Sequence, residues 1–180
     1  MVKFIKYLLA IIVAIVLLFA GYLWYLGLFS SITVDERAMG PYALVYQEYV
    51  GSYNDVGPVF DEVYNKLVSD GIDATLSMGV YYGNPDVVDE LELKSEVGSL
   101  IDEVQATLIN REKYSVKDID QEQYMVVSIP FKNSLSYIIG VMKAYQAIEA
   151  YRLLHGYSQS EYSIELYLPD KTYYMMPIVQ

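Results

Sequence analysis

The feature that most constrains this chain is a run of 23 residues, YLLAIIVAIVLLFAGYLWYLGLF at positions 7–29, that contains no charged side chain. As a helix it measures about 35 Å at roughly 1.5 Å per residue, enough to cross the hydrocarbon layer of a bilayer. A secretory signal has a shorter apolar region of roughly 7 to 15 residues, followed by a small-x-small cleavage site. Neither feature is evident here. Tyr22, Trp24 and Tyr25 suit an interfacial aromatic belt, and Lys3 and Lys6 flank the other end. Residues 1–29 therefore read as an uncleaved, single-pass anchor that meets the lipid bilayer through residues 7–29. Lys3, Lys6 and the amino terminus outweigh the single Arg37 beyond the run. The positive-inside rule then places the N-terminus in the cytoplasm and the remaining domain outside it, at the cell membrane.

Only two of the twelve basic residues lie in the anchor, so the rest of the chain carries a net charge of -13. Such a surface lacks the basic stripe that phosphate backbones require, which excludes a nucleic-acid partner. The absence of Cys removes disulfide scaffolds, Cys-ligated metals and thiol nucleophiles, and the single His155 rules out a multi-His metal site within one chain. No metal and no cofactor are expected. The acidic run Asp86, Asp89, Glu90 and Glu92 lacks calcium-loop spacing and reads as a solvated edge. His155, just before Gly156, reads as structural at a helix C-terminus. Gly79 and Gly83 read as a strand bend and a turn rather than a phosphate loop.

Residues 30–41 form a juxtamembrane linker in this reading, and residues 42–180 form one domain. Residues 42–50 (YALVYQEYV), 76–82 and 90–97 have strand character. Between the first two, Val56, Val59, Phe60, Val63, Tyr64, Leu67 and Val68 recur at spacings of three and four, which predicts a helix with Pro58 in its first turn and Gly71 as its stop. A short helix is expected after Gly98, and residues 113–123 read as a charged linker. The pattern then starts again with a strand at 124–130. A long helix follows, capped by Asn133 or Ser134, with Leu135, Ile138, Met142, Tyr145, Ile148, Tyr151 and Leu154 on its apolar side. Strands follow at 162–168 and 173–179. A shift of 85 residues brings Gly71 onto Gly156, Phe60 onto Tyr145 and Tyr82 onto Tyr167. The fold class is thus α+β: two β-α-β-β units, residues 42–98 and 122–180, forming one curved antiparallel barrel-like sheet with helices on one face, preceded by one transmembrane helix. The concave face opposite the helices is the expected ligand site.

Strand alternation puts Ile164 and Leu166 on one face of residues 162–168, and Glu165 and Tyr167 on the other. The apolar set is expected to meet the helices, leaving Glu165 in the concavity. The shift places neutral Val80 opposite Glu165, so the carboxylate belongs to one half only. Tyrosine is abundant, with 20 residues, and many fall on the strands. Rings around one carboxylate suit an organic cation, and the expected ligand-binding set is Glu165, Tyr167, Tyr46, Tyr82 and Tyr124.

The segments VGSYNDVGPVFDEVYNKL (residues 50–67), MGVYYGNPDVVDELELKSEVG (78–98), YSIELYLPD (162–170) and MMPIV (175–179), in that order, resemble the GyrI-like small-molecule-binding domains, also called bacterial effector-binding domains. The resemblance covers residues 40–180. It implies a duplicated strand-helix-strand-strand sheet with a cleft that takes amphipathic, often cationic compounds, and an acidic residue on the strand matching SIELY, here Glu165. Gly83-Asn84-Pro85 departs from the family, which often has an acidic residue in that turn, and a DNA-binding module is not expected. The anchored architecture also resembles eukaryotic ER-phagy receptors, although a chain ending at Gln180 leaves no room for their acidic tail.

The sequence reads as a membrane-anchored binding module that senses or sequesters amphipathic, cationic organic compounds. One alternative is a hydrolase of an electrophilic small molecule, with Glu165 as catalytic base and a Tyr as acid. Another is a structural or partner-binding membrane anchor.

Overall fold

The computed structural model describes residues 2–74, 76–85 and 87–180. Met1, Thr75 and Asp86 lie outside the described residues, and with Asp86 goes one member of the acidic run. Residues 7–25 of the apolar run lie in α1 (Val2–Tyr25), whose large apolar side chains stand exposed from Phe4 to Tyr25, and residues 26–29 form the turn that follows it. The chain turns at Gly27, where φ is +91°, and enters β1 (Asp35–Met39) and β2 (Tyr42–Val50). Then come α2 (Gly57–Ser69), β3 (Leu76–Tyr82), β4 (Lys94–Ile101), α3 (Glu103–Leu108), β5 (Ser115–Ile119), β6 (Glu122–Pro130), α4 (Ser134–His155), β7 (Tyr162–Tyr167) and β8 (Lys171–Pro177).

Among the described residues the eight strands form one antiparallel sheet in the order β1-β6-β8-β7-β3-β4-β2-β5. The order reads as the same series from either end, which is the duplication, and β3 and β7 meet at its centre. Each unit also has a leading strand that pairs with the other unit: β1 lies along β6, and β5 along β2. Sequence reasoning placed both leading strands in linkers. DERAM and SVKDI are short, charged edge strands, and their polarity both hides the strand pattern and discourages pairing with a second molecule. The strand expected at 90–97 runs instead from Lys94 to Ile101. The short helix begins after Asp102, whose carboxylate caps the Gln105 amide at 2.8 Å.

One face of the sheet carries Leu44, Met78, Val80, Val126, Ile164, Leu166 and Met175 in a single cluster. Ile119 from one end of the strand order and Met39 from the other join it, so the sheet curls until its two ends share a core. The turns there touch: the Gln121 amide donates to Gly40 O at 3.2 Å, and a Cβ on Gly40 would lie 2.9 Å from Asp120 O. The centre of the concavity is therefore filled with apolar side chains, with Tyr82, Glu96 and Lys117 as a bonded polar group on the same face, contrary to the expectation of a cleft.

The helices pack on the other face. Val63 and Leu67 of α2 meet Val45 and Ile101, and Ala144 and Ile148 of α4 meet Met125, Val127 and Tyr174. The buried face of α4 is Ser136, Ile139, Gly140, Ala144 and Ile148, whereas Leu135, Ile138, Met142 and Leu154 are exposed. Of the expected apolar side, Ile148 is buried and Tyr145 and Tyr151 pack beside it, while those four were misplaced, because small residues at 140 and 144 let the helix approach the sheet. Likewise Tyr64 and Val68 of α2 are exposed. Asn133 caps α4 in a reciprocal box with Ser136, and Gly156 ends it with φ +72°. His155 stacks on Tyr151 at 3.9 Å, with Nδ1 2.9 Å from Tyr151 O.

Candidate functional site

α2 lies over β2 and β4, and α4 over β6 and β8. The central strands β3 and β7 are left between them, and in that gap Glu165 sits directly opposite Gly79. Residues 163, 165 and 167 of β7 and 77, 79 and 81 of β3 project to this helix-bearing face. Glu165 is only 4% exposed. Expecting it in the concavity inverted the sheet: the wholly apolar Ile164 and Leu166 belong inside the curl, the driest place available.

Four tyrosines close over the carboxylate. Tyr145 and Tyr137, two turns apart on α4, donate to Oε1 at 2.9 Å and to Oε2 at 3.1 Å. Tyr167 donates to Oε2 at 2.7 Å. Its single hydroxyl proton is thereby used, so Tyr81, with its hydroxyl 2.8 Å away, donates to Tyr167 in turn. The Tyr145 hydroxyl also lies 3.1 Å from Ser163 Oγ. Phe60 of α2 meets the Tyr167 ring edge-on at 5.5 Å, and Tyr53 meets Tyr81 at 4.9 Å. A Cβ on Gly79 would lie 2.6 Å from the Tyr81 hydroxyl oxygen, so the glycine makes room for that ring.

Among the described residues no Lys, Arg or His forms an ion pair with Glu165. Burial raises its pKa above the ordinary carboxylate value, and the hydroxyls of Tyr167, Tyr145 and Tyr137 pull it back only in part. Burial, reinforced by the nearby Glu165 charge, also pushes Tyr81, Tyr145 and Tyr167 well above the usual phenol range, which keeps them as donors. The site is thus a buried carboxylate held by hydroxyl dipoles, with no cation paired to it among the described residues, walled by aromatic rings and closed.

Of the residues expected at the site, Glu165 and Tyr167 are together. Tyr46, Tyr82 and Tyr124 are not, since alternation turns them to the inside of the curl. Tyr82 donates to Glu96 at 2.8 Å, and Lys117 reaches both that carboxylate and the Tyr82 hydroxyl at 2.5 Å. Tyr124 is buried in the inner core. Sequence reasoning missed Tyr137 and Phe60 as site residues, counted Tyr81 only among the strand tyrosines, and treated Tyr145 as plain core. The legible signal was two tyrosines eight positions apart on one helix face, each needing a partner for its hydroxyl once buried.

The C-terminal domain of EcmrR superposes with a TM-score of 0.61 at 11% identity, covering 83% of this chain and 98% of that one. A bacterial transcription regulation protein from Staphylococcus aureus MU50 matches with 0.57 at 15% identity over 83% and 100%. SAV2435 bound to tetraphenylphosphonium matches with 0.52 at 13% identity over 81% and 93%. The fold is that of the GyrI-like effector-binding domains. In sequence, the testis-expressed protein 264 homolog of Mus musculus is 26% identical over 176 residues, 90% of this chain and 53% of that protein, so the chain spans about half its length. No protein-family model matches.

Proposed function

We propose that this protein is a membrane-anchored binding domain for a lipophilic organic cation, with Glu165 as the counter-ion and Tyr137, Tyr145, Tyr167, Tyr81 and Phe60 as the walls. The observation that carries this reading is a carboxylate buried among aromatic rings with no basic partner among the described residues. A buried anion is costly until a positive charge joins it, and ring faces favour a cation that is itself poorly hydrated. That SAV2435 holds tetraphenylphosphonium on the same fold supports the choice of ligand class. Because the tyrosines seal the carboxylate, a ligand enters by displacing hydroxyl donors, which requires the first turns of α4 to move away from β7.

The anchor belongs to the same proposal. An α1 left in water would expose apolar side chains whose transfer is worth roughly 1.5–3 kcal/mol each, tens of kcal/mol in all. A lipid bilayer removes that cost. Leu26, just past the helix, is buried in the domain, and Lys143 donates to Gly27 O at 2.7 Å and Leu28 O at 2.9 Å, contacts expected of a retained segment rather than a cleaved one. By the positive-inside rule Lys3 and Lys6 favour an N-terminus on the cytoplasmic side of the cell membrane; a reporter fused after Gln180 that works only in the cytoplasm would overturn that orientation.

The binding test is titration of the full chain in detergent micelles with tetraphenylphosphonium, read by tyrosine fluorescence, for wild type and Glu165→Gln. Saturable binding by wild type and at least about tenfold weaker binding by the variant are expected, since losing one member of a buried charge pair costs about 2–5 kcal/mol. Equal affinity, or no saturable binding by wild type, would sink the proposal.

A further inference from the structure

The outer side of α4 is unexpectedly apolar. Leu135, Ile138 and Met142 are 39%, 55% and 55% exposed, and Phe131, just before the helix, is 46% exposed. Positions 135, 138 and 142 follow the spacing of three and four that makes one stripe. Contiguous apolar side chains on a surface indicate something that covers them.

The place of the stripe indicates what that is. The start of α4 is tied to the end of α1: Lys132 donates to Tyr25 O, and the Asn133 side-chain amide donates to the Tyr22 hydroxyl at 3.1 Å. Eleven residues later Lys143 holds Gly27 O, Leu28 O and Ser30 O. The segment between these lysines is about 16 Å long and is fixed at both ends to the point where α1 finishes, so it lies across that point. Residues 133–142, NSLSYIIGVM, contain no charge and are bracketed by Lys132 and Lys143, in a domain whose remainder is strongly acidic. Anionic headgroups repel most of this domain but not this strip, and an apolar helix face with basic flanks is the pattern of an interfacial helix.

We infer that Phe131, Leu135, Ile138 and Met142 dock into the headgroup–acyl boundary of the membrane that α1 enters. The inference rests on reading α1 as a membrane span. It gives the site a direction of access as well: Tyr137 and Tyr145, which hold Glu165, belong to the same turns of α4, so a lipophilic ligand dissolved in the bilayer meets the lid of the site first.

The chain contains no Cys, so single introduced cysteines carry a nitroxide uniquely. The full chain is reconstituted in phosphatidylcholine vesicles, with and without phosphatidylglycerol, as Ile15→Cys, Ile138→Cys, Met142→Cys or Leu154→Cys. Collisional relaxation by oxygen and by a water-soluble nickel chelate is then compared. Labels at 138 and 142 should favour oxygen over nickel several-fold. The label at 154, about 18 Å further along α4, should favour nickel. If 138 and 142 behave like 154 while position 15 reports lipid, the docking is wrong and the anchor stands. If position 15 itself reports water, the anchor reading fails and the docking with it.

Discussion

Replacing Glu165 by Gln should make the ligand-free protein more stable, and the gain should grow with pH. In the unfolded chain the carboxyl titrates near its ordinary value of 4.5, and in the fold burial raises it. Between those two values the native state holds a proton that the unfolded state has released. Stability therefore falls as pH rises through the window, by up to about 1.4 kcal/mol per pH unit for one proton. Below the ordinary value both states are protonated and the penalty is absent; above the raised value it is complete. Gln has nearly the same shape and stays neutral: its oxygen accepts from Tyr137 and Tyr167, while its NH2 donates to the Tyr145 hydroxyl, whose own proton turns to Ser163 Oγ, 3.1 Å away. Burying an ion costs several kcal/mol, while three tyrosine donors return about 1 kcal/mol each beyond what a neutral acceptor would receive. The raised pKa shows that burial wins, leaving a gain of about 1 kcal/mol for Gln, or about 2–4 °C in a domain of this size. Near-UV circular dichroism of the tyrosines during heating, at about pH 4 and about pH 8, measures it. A variant less stable than wild type at the higher pH, or a gap that does not change with pH, would refute the reasoning, because the hydroxyls would then compensate the carboxylate in full. Tyr145→Phe, which removes one donor, should raise the Glu165 pKa further and widen the pH-sensitive window.

Three other perturbations test the frame. A Cβ at Gly98 would lie 2.0 Å from Val45 O on the adjoining strand, where backbone must yield, so Gly98→Ala should cost about 3 kcal/mol or more, visible as a collapse of the thermal transition; a wild-type melting curve would contradict the β2–β4 register. Gly79→Ala must displace the Tyr81 ring and break its bond to Tyr167, costing about 1–3 kcal/mol and changing tetraphenylphosphonium affinity in the same titration. Asn133→Ala removes the cap of α4 and should cost about 1 kcal/mol, with faster amide exchange at Ser136, whose N–H bonds the Asn133 side chain at 2.9 Å.

The strands and helices whose apolar residues repeat cleanly were legible: α2, β3 and β6 lie within a few residues of their expected bounds, and Asn133 and Gly156 marked both ends of α4. Alternation also put Glu165 and Tyr167 on one face. What it could not supply was which face meets the helices. Both faces of β7 carry large side chains, and only closure of the sheet makes the Ile164–Leu166 side the interior. β1 and β5 were lost for the reason they function as edges, since their charged sequences resemble linkers. In α4, apolar residues lie on nearly every side, so periodicity named Leu135, Ile138 and Met142 as core when Gly140 and Ala144 are what touch the sheet. The helix partners of Glu165, Tyr137 and Tyr145, were missed for a related reason: a tyrosine on a helix face declares its ring, and only the fold shows where its hydroxyl points.

The central claim is that this site selects positive charge. Tetraphenylphosphonium and tetraphenylborate have nearly the same shape and opposite charge, so their affinity ratio for the full chain in one detergent isolates electrostatics from burial. Wild type should prefer the cation by at least about two orders of magnitude, some 2.7 kcal/mol, and Glu165→Gln should erase most of that preference. Equal binding of the two ions by wild type, or an unchanged ratio in the variant, would contradict Glu165 as the counter-ion.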